Sequence, residues 1–339
     1  MIFGIATEIG SEGTWQLYVK ACIELKYEYR VVDITSSKWL ENIREAANYI
    51  DGLLVRPPCV NLEQYDIYME RVYFINHEMK IPIYPSYDAL KLYENKRYCT
   101  TWLKYYGYPH PKTFVFTDRK EAINFLKDSS YPIVIKASIG AGASAVHIIK
   151  NFTRATLIIN RIFGPHKLLS RGYISWVKYK NIIPVPLIGS SLKHYVIIQE
   201  YIPIKWEWRI IKIGESYFGH QKLLRGKYAS GSGKVGWVMP PFELLDLIRD
   251  ICDKGKFESM AMDVLESVDG KYYINELQTL FGSYLDSQMF INGNPGRFIY
   301  DKDSKEYIFE QGYFNKYGSN LLRVKHFYEL LSSSYYNEE

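Results

Sequence analysis

The sequence AMDVLESVDGKYYINELQTLF, residues 261–281, decides how this chain folds. Asp269 and Gly270 form a two-residue turn signal, and strand-forming residues flank them on both sides. This pattern predicts a tight β-hairpin in which Val268 lies opposite Lys271.

The predicted hairpin brings two carboxylates together. Counting back from the turn places Asp263 opposite Glu276 and Ala261 opposite Gln278, and residues two apart share a face. Opposed carboxylates repel each other, and apolar neighbours make their desolvation worse, so a cation between them is favoured. Oxygen ligands that are few in number suit Mg²⁺, which takes its other ligands from water and phosphates. The alternative is an exposed hairpin face with two solvated acids, and a turn of different length would remove the pairing.

The composition is that of a soluble globular protein. The chain has 339 residues, a length that can hold two or three domains. Of these residues, 47% are hydrophobic and 23% are charged, which is ordinary for a globular protein. The net charge of +5 comes without a long Lys/Arg run, so no nucleic-acid partner is predicted. No signal-peptide pattern opens the sequence, and no apolar stretch is long enough to span a bilayer, so neither export nor a membrane span is predicted.

The cysteines indicate the compartment. They are scattered without CxxC or Cys/His spacing, so neither a zinc site nor a disulfide framework is predicted. Reduced thiols in a cytoplasmic protein are expected. The four residues are Cys22, Cys59, Cys99 and Cys252.

The first 89 residues alternate between strands and helices. Apolar segments at residues 1–6, 29–34, 52–55 and 82–84 are predicted strands, and the stretches between them have helical periodicity. Such alternation predicts a small parallel sheet with helices on both sides. No Gly-x-Gly-x-x-Gly follows the first strand, so a dinucleotide site is not predicted there.

The middle of the chain contains a loop of small residues between two strands. A helix is predicted at residues 86–106. Strands are predicted at residues 112–116, 133–137 and 146–149. Residues 138–145 join the last two strands, which predicts a hairpin flap whose bare backbone can approach a ligand closely.

The last third of the chain is predicted to contain most of the remaining strands. The predicted strands are at 195–202, 207–213 and 217–223, followed by a helix at 241–257, the hairpin described above, a second hairpin at 297–309 and a helix at 320–331. Residues 225–236 are rich in Gly, Ser and cations, which predicts a mobile loop able to exclude water from a site.

Lys136 ends a predicted strand immediately before the small-residue loop. A lysine that reaches into a nest of backbone N–H groups is suited to nucleotide phosphates. The alternative is an edge-strand lysine whose ammonium reaches water.

The order of these features resembles the ATP-grasp superfamily. Lys96 on a helix, Lys136 before the small-residue loop, QEYI at 199–202, the EWR sequence at 207–209, and Asp263 thirteen residues before the glutamate of NELQ occur in that order. The chain looks most like the carboxylate–amine ligases of the glutathione synthetase, D-alanine:D-alanine ligase and ribosomal-protein glutamate ligase type. The resemblance covers roughly residues 90–282.

The resemblance implies an α/β (α+β) architecture. It is the ATP-grasp fold, in which two α+β subdomains grip ATP, preceded by a small Rossmann-like parallel α/β domain. The predicted segments are residues 1–89 for the first domain, 90–197 for the subdomain with the flap, and 198–339 for the subdomain with the metal site and a C-terminal extension.

The resemblance also implies a role for each matched position. Cations would hold the ATP phosphates, the flap would close over them, backbone and side chains would lie along the adenine, an acid would take the ribose hydroxyls, and two Mg²⁺ ions would bridge the phosphates. The matched positions are Lys96 and Lys136 for the phosphates, Gly140, Gly142, Ala143 and Ser144 for the flap, Gln199, Glu200 and Ile202 for adenine, Glu207 for ribose, and Asp263, Glu276 and Gln278 for Mg²⁺.

The sequence departs from the family pattern at two positions. The last metal ligand is usually Asn, whereas Gln278 is one methylene longer and would shift a metal or contact substrate. Many relatives have Arg two residues before the first metal Asp, where this chain has Ala261. The positive charge for a developing acyl phosphate must then come from elsewhere. The candidates are Arg209, Lys222 and Arg225, and a surface salt bridge is the alternative for each.

The resemblance implies an ATP-dependent ligase. A carboxylate would attack the γ-phosphate of ATP to give an acyl phosphate, and an amine would then displace phosphate to form an amide. The alternatives are a kinase acting on a small-molecule or sugar hydroxyl and a non-catalytic nucleotide-binding module. The implied partners are ATP, Mg²⁺ and a small-molecule, amino-acid or glycan-type substrate. Members of this family often dimerise, so a homodimer is a further prediction.

Overall fold

The computed structural model describes residues 1–8, 14–58, 62–138, 146–164, 193–229, 233–281 and 285–336. The predicted flap residues Gly140, Gly142, Ala143 and Ser144 lie outside these ranges. Among the described residues, no helix is both long and apolar enough to cross a bilayer.

The first sheet is parallel throughout, as the alternation of strands and helices predicts. Its strands run in the order β2-β1-β3-β4, and each pairs in parallel with its neighbour. The elements are β1 (Ile2–Ala6), α1 (Gln16–Leu25), β2 (Glu28–Val32), α2 (Trp39–Ala46), β3 (Gly52–Leu54), α3 (Leu62–Tyr73), a π-helical turn (Phe74–Glu78) and β4 (Ile83–Tyr84).

A connecting segment places Lys96 at the start of a helix. The single helix predicted at 86–106 is wrong, because the chain forms two helices, α4 (Tyr87–Leu90) and α5 (Lys96–Tyr105). Asn95 caps the second helix, and its side-chain oxygen accepts a hydrogen bond from the backbone N–H of Tyr98 at 3.2 Å. This cap satisfies one of the free N–H groups of the first turn and fixes where α5 begins.

The second sheet is antiparallel and contains the predicted flap hairpin. Its strand order is β5-β8-β6-β7, and Lys136 at the end of β6 pairs with Val146 at the start of β7. Helices α6 and α7 pack their apolar residues against this sheet. The elements are β5 (Thr113–Phe116), α6 (Arg119–Lys127), β6 (Ile133–Lys136), β7 (Val146–Ile149), α7 (Phe152–Phe163) and β8 (Val196–Glu200).

The third sheet contains the hairpin with which the sequence analysis began. Its main path is β13-β12-β9-β10-β15-β14, with β11 paired to β10 and β16 paired to β15. Helix α8 contributes Leu244, Leu245, Ile248 and Ile251 to the core beside it. The elements are β9 (Ile204–Ile213), β10 (Ser216–Lys222), β11 (Val235–Gly236), α8 (Phe242–Gly255), β12 (Ser259–Ser267), β13 (Tyr272–Gln278), β14 (Phe290–Ile291), β15 (Asn294–Asp301), β16 (Glu306–Gln311) and α9 (Asn320–Tyr336).

The turn between β12 and β13 is one residue longer than predicted. Ser267 lies opposite Lys271, since its N–H donates to the Lys271 carbonyl at 2.9 Å, so the turn comprises Val268, Asp269 and Gly270. Gly270 has a φ of +82°, the left-handed conformation that a three-residue hairpin turn requires at this position. The predicted two-residue turn is therefore wrong.

A β-bulge at Asn275 restores the predicted pairing of the two acids. Val264 lies opposite Ile274, whereas Asp263 lies opposite Glu276, so Asn275 is an extra residue on β13. The bulge cancels the register shift that the longer turn introduces. The prediction that Asp263 faces Glu276 is confirmed.

Helix α9 returns to the first sheet. Phe327 and Leu331 of α9 share a core cluster with Phe3 and Tyr84 of the parallel sheet. Gly52 makes this approach possible, because a Cβ atom at that position would lie 2.5 Å from Cζ of Phe327. The last helix of the third predicted segment therefore completes the core of the first.

Candidate active site

Four polar residues form a row across neighbouring strands of the third sheet. Glu276 on β13 lies opposite Asp263 on β12, which lies opposite Arg209 on β9, which lies opposite His220 on β10. Directly opposed residues share a face, so one sheet face carries two acids, a guanidinium and an imidazole in succession.

Asp263 is surrounded by two cations. Arg209 makes a bidentate pair with it, with Nε 2.8 Å from Oδ1 and Nη2 2.9 Å from Oδ2, and the Lys222 ammonium lies 2.6 Å from Oδ2. Lys222 also forms a hydrogen-bonded ion pair with Glu207, its partner across the strands. Burial alone would raise the pKa of Asp263, but Arg209 and Lys222 outweigh it and hold that pKa well below its usual range.

Glu276 is held by a lysine and by Gln278. The Lys96 ammonium lies 2.8 Å from Oε1 of Glu276, and the side-chain amide N–H of Gln278 donates to the same atom at 2.7 Å. The amide oxygen of Gln278 accepts from the backbone N–H of Glu94 at 3.0 Å. Both ends of the Gln278 amide are thus engaged, so this residue orients Glu276. A direct metal contact by Gln278 stays a prediction.

The two predicted phosphate-binding lysines lie in different electrostatic surroundings. Both side chains are buried, and the Lys96 ammonium also donates to the Ser138 carbonyl at 3.3 Å. Burial alone would lower the pKa of Lys96, but Glu276 outweighs it and raises that pKa. Burial first, and then the neighbouring Lys96 cation, lower the pKa of Lys136 to about 8.

Lys136 lacks a counter-ion among the residues that the structure describes. Its ammonium contacts the amide oxygen of Asn275 at 3.4 Å, and no salt bridge to a carboxylate is formed within the described ranges. A buried ammonium beside a second cation is unfavourable without an anion. This geometry favours a ligand with several negative charges, such as a polyphosphate.

Asn275 is a site residue that strand alternation misses. Its amide nitrogen donates to Glu207 at 3.1 Å and its oxygen accepts from Lys136, so it connects the second sheet to the third. Strict alternation would place Asn275 on the face opposite Glu276. The bulge changes its direction, and the available sequence signal was the three-residue spacing of the apolar residues Ile274 and Leu277, which breaks strict alternation.

The predicted adenine-binding residues lie at the end of β8. The Gln199 amide donates to the Thr113 hydroxyl at 2.7 Å, and a carboxylate oxygen of Glu200 accepts from the Lys112 N–H at 2.6 Å. These side chains join β8 to β5. The adenine role of the segment up to Ile202, which the resemblance assigns partly to backbone groups, stays a prediction.

Two of the three candidate charge-neutralising residues reach the site. The side chains of Arg209 and Lys222 are only 20% and 14% exposed, so their ion pairs with Asp263 are buried and are not surface salt bridges. Arg225 is exposed, and its backbone pairs with that of Tyr228. Among the described contacts, none brings the Arg225 side chain to Asp263.

The acids of the row have the chemistry that Mg²⁺ requires. Asp263 and Glu276 present carboxylate oxygens at directly opposed positions, and both are ion-paired to side-chain cations in this structure. No cluster of three or more His, Cys, Asp or Glu side chains able to hold a metal occurs in the described part of the chain. The residues therefore fit a Mg²⁺ ion that takes most of its ligands from phosphate and water.

Comparison with known proteins finds sequence similarity to a curated ligase. No family model matches the sequence. The alpha-aminoadipate–LysW ligase LysX of Saccharolobus solfataricus is 24% identical over 237 residues, which cover 68% of this chain and 76% of the relative.

Solved structures extend this likeness over nearly the whole chain. D-alanine–D-alanine ligase from Bacillus anthracis superimposes with a TM-score of 0.58 at 15% identity, covering 98% of this chain and 99% of that one. A RimK domain protein ATP-grasp from Sphaerobacter thermophilus superimposes with a TM-score of 0.52 at 14% identity, covering 82% of this chain and 90% of that one.

Proposed function

This chain has the ATP-grasp fold and is similar to carboxylate–amine ligases, as its motifs predict, and from this premise we propose that it is an ATP-dependent ligase. It would join a carboxylate to an amine through an acyl phosphate. The main support is the opposed Asp263–Glu276 pair, which four buried or half-buried cations surround. Such a site can bind a polyphosphate and neutralise charge that develops during phosphoryl transfer.

Each group of site side chains has a different proposed role. Lys96, at the start of α5, and Lys136, at the end of β6, bind the phosphates of ATP. Arg209 and Lys222 neutralise the acyl phosphate, and so supply from β9 and β10 the positive charge that many relatives take from an arginine at the position of Ala261. Asp263 and Glu276 would hold Mg²⁺, which would supply further positive charge to the transferring phosphate. Positioning and electrostatics then suffice, and no covalent nucleophile is needed.

The substrates are proposed only by class. The curated relative and one structural neighbour are named as ligases of alpha-aminoadipate and of D-alanine, which supports an amino-acid or amino-acid-like carboxylate here. The described cysteines, Cys22, Cys99 and Cys252, are free thiols, which supports a cytoplasmic location. The homodimer stays a prediction.

The nucleotide site is tested by thermal unfolding with a non-hydrolysable ATP analogue. A ligand that binds only the folded state at 100 times its Kd stabilises it by about 2.7 kcal/mol, so the midpoint should rise by several degrees when Mg²⁺ is present. Glu276→Gln keeps the side-chain shape but removes the charge, so the Mg²⁺-dependent part of the rise should disappear. Glu310→Gln, which breaks only a surface pair with Arg297, is the control and should retain the full rise. An unchanged wild-type midpoint would rule out the nucleotide site.

The acyl phosphate is tested by trapping with hydroxylamine. Wild-type protein, ATP, Mg²⁺ and a panel of amino acids and dicarboxylates should give a hydroxamate with at least one carboxylate, with one ADP released per hydroxamate. A kinase would instead release ADP with a hydroxyl substrate and give no hydroxamate. ADP release with alcohols alone would therefore show that the protein is a kinase and not a ligase.

A further inference from the structure

His220 lies at the end of the polar row that begins with Glu276. It is directly opposite Arg209, and Lys222 lies two residues further along the same strand and face. Opposed side chains have Cβ atoms about 5 Å apart, so the imidazole lies beside the guanidinium that would neutralise the acyl phosphate.

The hydrogen bonds of His220 define its tautomer. Nδ1 lies 3.2 Å from the backbone carbonyl oxygen of Gln288, and a carbonyl can only accept, so Nδ1 carries the hydrogen. Nε2 then presents a lone pair. It makes no hydrogen bond to any residue within the described ranges, and the side chain is only partly buried. The ring therefore offers a free proton acceptor on the site face.

An aromatic wall orients this imidazole. The Trp237 ring centroid lies 5.7 Å from that of His220, and Phe290 packs edge-on against Trp237 at 4.7 Å. Trp237 immediately follows β11, which pairs with β10 beside Lys222. The wall limits rotation of the ring.

We propose that His220 accepts the proton from the amine that attacks the acyl phosphate, an inference that rests on the proposed ligase function. The amine nitrogen forms a bond to the acyl carbon with its lone pair. The bond between that carbon and the phosphate oxygen breaks, and phosphate leaves with the electron pair. One N–H proton passes to Nε2 of His220, and the imidazolium later returns it to water or to the released phosphate.

The charges around His220 link its basicity to the progress of the reaction. The groups that face it are Arg209 from β9, Lys222 from its own strand and Asp263 from β12, while Trp237 and Gln288 are neutral. Burial, followed by Arg209 and Lys222, lowers the pKa of His220 to about 3, so the ring is neutral before reaction. An acyl phosphate bound to these cations would offset their charge and raise that pKa, so the base strengthens when it is needed.

The test compares two nucleophiles in His220→Gln. Hydroxylamine is a weakly basic amine whose adduct loses its proton readily to water, so hydroxamate formation should stay within about twofold of wild type. Formation of the amide with an ordinary amine should fall about 10²- to 10⁴-fold, and its pH profile should shift to higher pH. His110→Gln is the matched control, because His110 makes the same type of Nδ1 contact, 2.8 Å from the Tyr108 carbonyl, outside the polar row. It should leave both rates unchanged.

Each outcome separates this role from the proposed function. Equal losses of hydroxamate and amide, or no loss of either, would overturn the base role and leave the ligase intact. If the wild type gives no hydroxamate with any carboxylate, both the proposed ligase function and the base role of His220 are excluded. Imidazole NMR of the wild type gives an independent check that needs no variant. We expect a neutral ring with the hydrogen on Nδ1 at pH 6, and a protonated ring would contradict the proposal.

Discussion

Lys136→Met should weaken ATP binding about 100-fold and at the same time make the nucleotide-free protein more stable at pH 7. The two effects have one cause. Lys136 is 4% exposed, its ammonium lies near Lys96, and its pKa is about 8 instead of 10.5. Keeping it protonated in the folded state at neutral pH therefore costs about 3 kcal/mol. Methionine has a similar length and no charge, so it removes this cost and also removes the phosphate contact.

The pH dependence of stability provides the measurement. Between pH 8 and 10.5 the unfolded chain holds a proton on Lys136 that the folded protein has lost, so this group makes stability increase with pH across that window. Urea unfolding of the wild type should show the increase, and the variant should lack it. Calorimetric titration with ATP should show the loss of affinity. A variant that is less stable than wild type at pH 7 and binds ATP normally would contradict this account of Lys136.

Lys96→Met should have the opposite effect on stability, although it removes the same charge from the same site. The Lys96 ammonium is paired with Glu276 at 2.8 Å, and this carboxylate raises the pKa of Lys96 despite its burial. Removing one partner of a buried ion pair leaves the other charge uncompensated and costs about 3–5 kcal/mol. ATP affinity should fall in this variant too, since one phosphate contact is lost.

A double variant measures the interaction between Lys96 and Glu276. In Lys96→Met with Glu276→Gln, the stranded charge is absent, so most of the lost stability should return although ATP binding should not. Urea unfolding of the four proteins gives the coupling free energy directly. Additive losses would show that Lys96 stabilises the protein through packing of its methylene groups and that the ion pair contributes little.

Local hairpin patterns predict much of this site. The Asp-Gly turn predicted the opposition of Asp263 and Glu276, which holds because the bulge at Asn275 offsets the extra turn residue, and the Gly214-Glu215 turn could have given the opposition of Arg209 and His220, since β9 and β10 pair through it. Hairpin partners are near each other in sequence, so alternation, the turn length and any bulge together determine which residues meet.

The remaining parts of the site depend on contacts between distant segments. Arg209 meets Asp263 because β9 pairs with β12, and these residues are 54 positions apart in the sequence. The alternation of apolar and polar residues along a strand does not predict which strands become neighbours in the sheet. The bulge at Asn275 does change the apolar pattern, because Ile274 and Leu277 both belong to the core although they are three positions apart, and a reading by strict alternation misses this. Asn95 differs, since its position before a helical run is a readable N-cap signal.

The return of α9 to the parallel sheet affects the order in which the protein can fold during synthesis. Tyr84, in the last strand of that sheet, contacts His326 in α9, and 242 residues separate them. At 5–20 residues per second, a ribosome needs roughly 10–50 s to make the intervening chain. Throughout that interval the apolar side of the sheet around Phe3 and Tyr84 has α1 packed against it but lacks α9. The parallel sheet is synthesised before the two antiparallel sheets and is nevertheless among the last parts of this chain to become native, and it is the segment on which chaperones would act.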